Sequence, residues 1–419
     1  MSAPAAPDPR ASRPLASHAP LGFAVFVALV AALMALNALA IDIMLPALPA
    51  IGAALDVADA NDRQAVITAF LGGFGLGQFL VGVLSDRFGR RPILIAGLVA
   101  YAGGAGLAAL SGDFAGLLAA RAAQGLGAAA PRVIVLALVR DCYAGPKMAK
   151  VSSLAMMTFM AAPVLAPSIG QGIAALAGWR AIFWALTGYA GLLLLVCALR
   201  LPETLPPEWR RPLSRAGLAD SAKRVLGSRQ TMGYALASGA FLGALFGFIA
   251  SAQQVLAELY GLGAWFPVVF GAIALTIAAA AFVNAMLVGR LGMRALSHGA
   301  AVGFTALSSA LAVIAAQGQP PIWLLLPMLA AAMGLVGLVF ANFNALAMEP
   351  MAAVAGLASS MIGGMTTLVG ATCGFVIGRA YDGTVLPLAL GYAACGALTI
   401  LVLLATERGR LFGAATAPA

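Results

Sequence analysis

Twelve apolar runs follow one another along the chain, separated by short polar breaks. They cover about 22–46, 64–84, 93–111, 115–138, 150–176, 181–199, 231–252, 262–288, 298–317, 322–347, 355–378 and 385–405. A helix rises 1.5 Å per residue, so about 20 residues span the ~30 Å of hydrocarbon in a bilayer. The pattern predicts an all-α membrane protein of twelve transmembrane helices. A polar stretch, 201–230, reads as a cytoplasmic linker between an N-terminal six-helix bundle (21–200) and a C-terminal one (231–406). Residues 1–20, rich in Pro, Ala and Ser, read as a disordered tail and 407–419 as a second tail.

Composition agrees, with 62% hydrophobic and only 9% charged residues, far from a soluble domain. The net charge of +9 would suggest nucleic acid, but its distribution argues otherwise. With the N-terminus in the cytoplasm, 19 of the 24 Lys and Arg fall in cytoplasmic segments. Arg63, Arg180 and Arg379 fall on the other side, and Arg121 and Arg132 within a span. That asymmetry obeys the positive-inside rule, so the basic balance reports topology, with both termini cytoplasmic and no nucleic-acid partner. Cys142, Cys197, Cys373 and Cys395 lack metal spacing and read as apolar filler, so neither metal nor cofactor is expected. The only histidines are His18 and His298 and no Walker sequence is present, which argues against a membrane enzyme and against direct ATP-driven pumping.

Charge inside apolar runs is where chemistry is to be sought. Asp42 lies about one turn inside the first run, ahead of Pro46 and Pro49, and is the one carboxylate clearly within a span. Arg121 opens Arg121-x-x-Gln124-Gly125-x-Gly127, and Arg132 follows about three turns later on the same face. Asp42 and Arg121 come to similar depth on antiparallel spans, which suggests a titrating pair or a static ion pair. Small-residue stripes at Gly73 and Gly77, Gly239 to Gly247 and Gly370 to Gly378 suit close helix packing. Pro163 and Pro167 predict a bent fifth helix, and Asp56, Asp59 and Asp62 read as solvated loop residues.

Between runs two and three stands Gly82-Val-Leu-Ser-Asp86-Arg87-Phe-Gly89-Arg90-Arg91-Pro92. It resembles the loop between helices two and three of the major facilitator superfamily. Arg290-Leu-Gly292-Met-Arg294 echoes it in the second half, with Gly289 in place of the acid. Arg140-Asp141, Gly178-Trp-Arg-Ala-Ile-Phe, Pro202-Glu203-Thr-Leu and Asn342-Phe-Asn344 extend the resemblance to the Bcr/CflA-type branch of the twelve-helix drug:proton antiporters. The resemblance implies two six-helix bundles that alternate access, with small-molecule substrates and protons as partners. It also implies proton coupling through Asp42 and Arg121. An exporter of an endogenous metabolite or siderophore is the near alternative, and a non-transporting sensor a remote one. A monomer is expected.

Candidate cavity residues are Asn37, Gln78, Tyr101, Arg132, Phe246, Gln253, Asn284, Asn342 and Asn344. Ser251-Ala-Gln253-Gln254 departs from the Ser-Pro-Phe-Val common in that branch. Gly82, Asp86, Arg87, Gly89, Arg90, Arg91, Arg140 and Glu203 are expected to form a cytoplasmic gate, with Asp86 pairing with Arg140 and facing the start of span eleven, and Arg90 reaching Glu203. Such contacts are expected only when the cytoplasmic side is closed and the outer side open.

Overall fold

The computed structural model describes residues 21–210 and 215–413. The expected first tail, part of the linker and the end of the second tail lie outside the described residues. Twelve long helices run through it: α1 Phe23–Asp42, α2 Ala65–Phe88, α3 Arg90–Leu110, α4 Phe114–Cys142, α5 Gly145–Ala177 and α6 Trp179–Arg200 form the first set. The second set is α7 Arg229–Ala252, α8 Phe266–Leu291, α9 Met293–Ala316, α10 Ile322–Met348, α11 Ala355–Arg379 and α12 Leu386–Thr406. Among the described residues, all but α5 are long and apolar enough to cross a membrane, and α5 is apolar over Ala161–Ala177. The expected fold, twelve transmembrane helices in two six-helix bundles, is the fold observed.

Helix ends follow from local chemistry. Pro46 and Pro49 each open a new short element after α1, a tight turn at Leu45–Ala47 and a helix at Leu48–Ala54. The first apolar segment is therefore a broken helix with Asp42 at the break. The Asp113 carboxylate accepts from the Gly116 amide to cap α4, at 2.8 Å. Gly89 and Gly292 sit at φ +104° and +82°, a region costly for other residues, and each lets the chain turn straight from one helix into the next. Pro163 and Pro167 lie within α5, which continues through both.

The second bundle repeats the packing of the first. Within the first, α2 and α3 pack on α4, α3 on α6, and α1 on α4, α5 and α6. Within the second, α8 and α9 pack on α10, α9 on α12, and α7 on α10, α11 and α12. The glycine stripes of α7 and α11 face each other, Gly243 against Cys373 and Gly374 against Phe246. Two seams join the bundles, α2 on α11 and α5 on α8. The α2–α3, α4–α5, α6–α7, α8–α9 and α10–α11 connections share one face, the basic face. A short helix, Arg215–Gly227, rests there against α7 and α11.

Candidate functional site

On the basic face, the Gly82–Pro92 loop is the centre of a charge cluster. The first amides of α3 have no partners within their own helix. Glu203, beyond α6, supplies them: its carboxylate accepts from the Arg90 amide at 2.9 Å, the Arg91 amide at 3.2 Å and the Leu205 amide at 2.8 Å. Gly89 makes room, since a side chain there would run into that carboxylate. Arg91 in turn donates to the Ala198 carbonyl near the end of α6, at 2.7 Å. The buried Arg90 guanidinium meets Asp86 at 2.6 Å, Ser85 at 2.8 Å and Asp141 at 3.4 Å.

Two expected pairings change. Arg90 reaches Glu203 through its backbone amide, not its side chain. Asp86 pairs with Arg90, and Arg140 makes no ion pair with Asp86 among the described residues. Arg140 is exposed, and its neighbour Asp141 faces the cluster instead. Arg87 is exposed as well. Asp86 also meets α11, where a methyl group on Gly356 in the first turn would sit 3.1 Å from its Oδ2. One turn back along α2, Gly82 lies so close to Ser360 that no larger residue fits.

Asp42 and Arg121 are both buried, at 3% and 0% exposure, yet no ion pair joins them among the described residues. Arg121 is held instead by three directed bonds. Its Nη2 donates to the Ala40 carbonyl at 3.0 Å, Nε to the Val66 carbonyl at 3.1 Å and Nη1 to Gln124 Oε1 at 2.6 Å. Its face lies 4.5 Å from the Phe70 ring centroid. The reason is the break in α1: the last carbonyls of a helix lack partners, and Arg121 satisfies one of them. Asp42 Oδ1 has no hydrogen-bond partner among the described residues.

The expected cavity residues divide. Asn37 is buried, and neither of its amide atoms has a hydrogen-bond partner among the described residues. Arg132 is half-buried near Met34, and Asn344 is exposed. Gln253 is buried and reaches Glu258 at 3.3 Å. It also lines a cavity of about 340 Å³ between the bundles, with Pro46, Gln171 and Phe266. The others are engaged in packing. Asn342 donates to Asn284 at 2.6 Å, tying α10 to α8. Tyr101 donates to the Leu36 carbonyl at 3.4 Å, tying α3 to α1, and Phe246 sits on the α11 glycines. Gln78 donates to Thr367 at 2.9 Å, midway along the α2–α11 seam.

The face opposite the basic one carries a clasp that no motif announces. Gln64 donates to Gln254, Gln254 to Asn61 at 2.7 Å, and Asn61 to the Tyr381 carbonyl at 2.7 Å, so the relay crosses between bundles three times. Asp62 pairs with Arg379, and Arg63 with Glu258 at 3.3 Å. Asp62 is thus an inter-bundle partner, not the solvated loop residue expected. Gln254 is presented by a wider, π-helical turn, Gln253–Leu259, at the end of α7. The only sequence signal was the unusual Gln253-Gln254 pair. With this face clasped and Asp86 seated on α11, both ends of the α2–α11 seam are closed together. The Asp86 contact therefore does not mark a state open on the opposite face.

The Major Facilitator Superfamily family model matches residues 30–374. The uncharacterized MFS-type transporter YdgK of Bacillus subtilis is 33% identical over 361 residues, 85% of this chain and 89% of its own. The bicyclomycin resistance protein homolog of Haemophilus influenzae is 28% identical over 378 residues, 90% and 94% of the two chains. The crystal structure of a D-xylose-proton symporter superposes with a TM-score of 0.73 at 16% identity, covering 91% of this chain and 97% of that one, which bears on the fold alone. With the loop motif, the doubled six-helix packing and these matches in agreement, the chain belongs to the Major Facilitator Superfamily, in the Bcr/CflA-type branch its motifs resemble.

Proposed function

We propose that the protein is a proton-coupled efflux transporter of the bacterial inner membrane, exporting small amphipathic compounds by alternating access. It acts as a monomer with both termini in the cytoplasm, the basic face being the cytoplasmic one. The observation that carries the coupling is Asp42, a buried carboxyl at a helix break with an unpartnered oxygen. Ionised and unpaired, such a group costs several kcal/mol to keep in the interior, of order 3–5. Protonated, it forfeits only a hydrogen bond of about 1 kcal/mol. A conformational change that alternately wets and buries Asp42 would therefore load and release a proton. Arg121 contributes by fixing the end of α1, so that the break and Asp42 move as one unit. Asn37, on the same helix, and Arg132 are the polar groups best placed for substrate. The resistance proteins among the relatives, the bicyclomycin homolog and multidrug resistance protein D of Escherichia coli (27% identical over 338 residues), support a drug-like cargo.

The test is reconstitution in vesicles with a trapped pH-sensitive dye, presenting bicyclomycin and chloramphenicol to wild type and Asp42→Asn. Wild type should couple drug movement to proton flux, and the variant should bind drug without coupling. A variant that still builds a ΔpH-dependent gradient removes Asp42 from the role. The Gln253-Gln254 departure favours one second reading, export of an endogenous metabolite, which a silent drug panel with intact proton leak on metabolite addition would reveal.

A further inference from the structure

A second polar cluster lies on the basic face of the C-terminal bundle, away from Asp42 and the Gly82–Pro92 loop. His298, on α9, is fully buried. Its Nδ1 accepts from the backbone amide of Phe412, at 3.2 Å, in the segment after α12. Its Nε2 lies 3.1 Å from the Tyr234 hydroxyl of α7. That hydroxyl already donates its proton to Glu407, at 2.5 Å, so its oxygen can only accept from the imidazole. The ring is therefore neutral, with its proton on Nε2 and both nitrogens used.

The docked segment is held against its own preference. Arg408 and Phe412 adopt φ +53° and +67°, a left-handed conformation that residues with a side chain rarely adopt. The amide docked on His298 belongs to one of them. Arg410 donates its amide back to the Glu407 carbonyl at 3.1 Å, which closes the turn.

We propose that His298 is a pH-responsive dock for the C-terminal segment, holding it when neutral and releasing it when protonated. A second proton can enter only at Nδ1, where it would oppose the Phe412 N–H and turn an acceptor into a donor. The facing groups on every packed element allow this. On α9 itself Arg294, one turn away, disfavours a second cation. Beyond α12, Glu407 attracts one, but it is already bound by Arg294 at 3.0 Å and by Tyr234. From α7 Tyr234 and, behind it, Gln230 contribute, and in the docked segment itself Arg408 and Arg410 are exposed. From the α10 end Glu349 is engaged by Gln230 at 2.7 Å and approached by Arg294 at 3.8 Å. Burial pushes the Glu407 carboxyl up, yet the bonds from Tyr234 and Arg294 outweigh it and hold Glu407 below the usual carboxylate range. Glu407 thus stays ionised while His298 titrates. The dock is complete while the ring is neutral and is lost as the pH falls and Nδ1 takes the second proton. The inference rests on the fold and not on the direction of transport.

Hydrogen exchange of the full-length protein in nanodiscs tests this, read as the protection of the C-terminal peptide containing Phe412 after correction for intrinsic rates. Wild type should lose about tenfold in protection as the pH falls from about 7.5 to about 5 and the ring takes its second proton. His298→Asn offers a non-titrating oxygen near the Nδ1 position, so its protection should not vary with pH. His298→Phe should be unprotected throughout, and if it does not fold the other two proteins decide. Equal pH profiles for wild type and His298→Asn would overturn the proposal, as would an unprotected wild type at pH 7.5.

Discussion

The clasp on the face opposite the basic one lends itself to a quantitative test through Gln254→Ala. Gln254 gives two side-chain hydrogen bonds to the first bundle, from Gln64 and to Asn61, and is itself 2% exposed. A neutral hydrogen bond contributes about 0.5–1.5 kcal/mol net, and a buried donor left without a partner costs more, so the clasped state should lose about 2 kcal/mol. The unclasped state loses nothing, because there water replaces each partner. The ratio of unclasped to clasped protein should rise about thirtyfold. The flanking ion pairs offer the comparison. Asp62–Arg379 has side-chain exposures of 36% and 52%, and Arg63–Glu258 13% and 40%. Exposed pairs contribute only about 0–1 kcal/mol. Arg379→Ala also leaves intact the backbone carbonyls that Asn61 uses. It should shift the ratio less than Gln254→Ala. Spin labels at Ala58 and Ala264, both exposed and on opposite bundles, would report the opening by distance measurement in a background without the native cysteines. An unchanged distance distribution in Gln254→Ala, or a larger change in Arg379→Ala, would refute the amide clasp.

Two further outcomes are expected. Arg121→Lys keeps the charge but can satisfy fewer of the Ala40, Val66 and Gln124 acceptors, so the protein should lose about 2 kcal/mol of stability and most coupled transport; a thermal midpoint equal to wild type would contradict this. Asp86→Asn should shift the two-state balance and slow turnover severalfold, whereas Gly289→Asp, where a Cβ has open space, should be nearly neutral; cysteine accessibility from each side would show the difference, and equal defects would count against an asymmetric gate.

Much of this was legible because charge stands out against hydrocarbon. Asp42 and Arg121 interrupt apolar runs, and a span cannot carry such groups without a use for them, while Asp86 and Arg90 stand in a short break between two runs. Their pairings were less legible. Arg140 and Asp141 are adjacent, and one residue turns a helical side chain by about 100°, so Asp141 faces the cluster while Arg140, the expected member, faces out. Asn284 and Asn342 look like cavity groups singly, and only the α8–α10 contact makes them satisfy each other. The clasp was hidden for the opposite reason. Asn61, Asp62, Gln64 and Arg379 stand at span ends, where polar residues are expected anyway. Nothing local distinguishes a solvated loop from one buried by the other bundle.

The duplicated architecture separates structural charge from gating charge. Arg91 and Arg294 stand 203 residues apart at the starts of α3 and α9, and Glu203 and Glu407 stand 204 apart beyond α6 and α12. In each bundle the acid after the sixth helix meets the start of the third, through the Arg91 amide in one and the Arg294 side chain in the other. An anchor present in both bundles closes a bundle. Ser85, Asp86 and Asp141 have no such counterpart: their places 203 residues on are Val288, Gly289 and Asn344, which carry no charge. That acidic extension exists only in the first bundle, and Asp86 points at the positive end of α11, which belongs to the second. A contact formed by one bundle and received by the other can respond to their relative motion, while the shared anchor cannot. The second bundle uses its own end differently, for His298, Tyr234 and the C-terminal segment. The same helical frame thus carries an inter-bundle contact at one end of the repeat and an intra-bundle dock at the other.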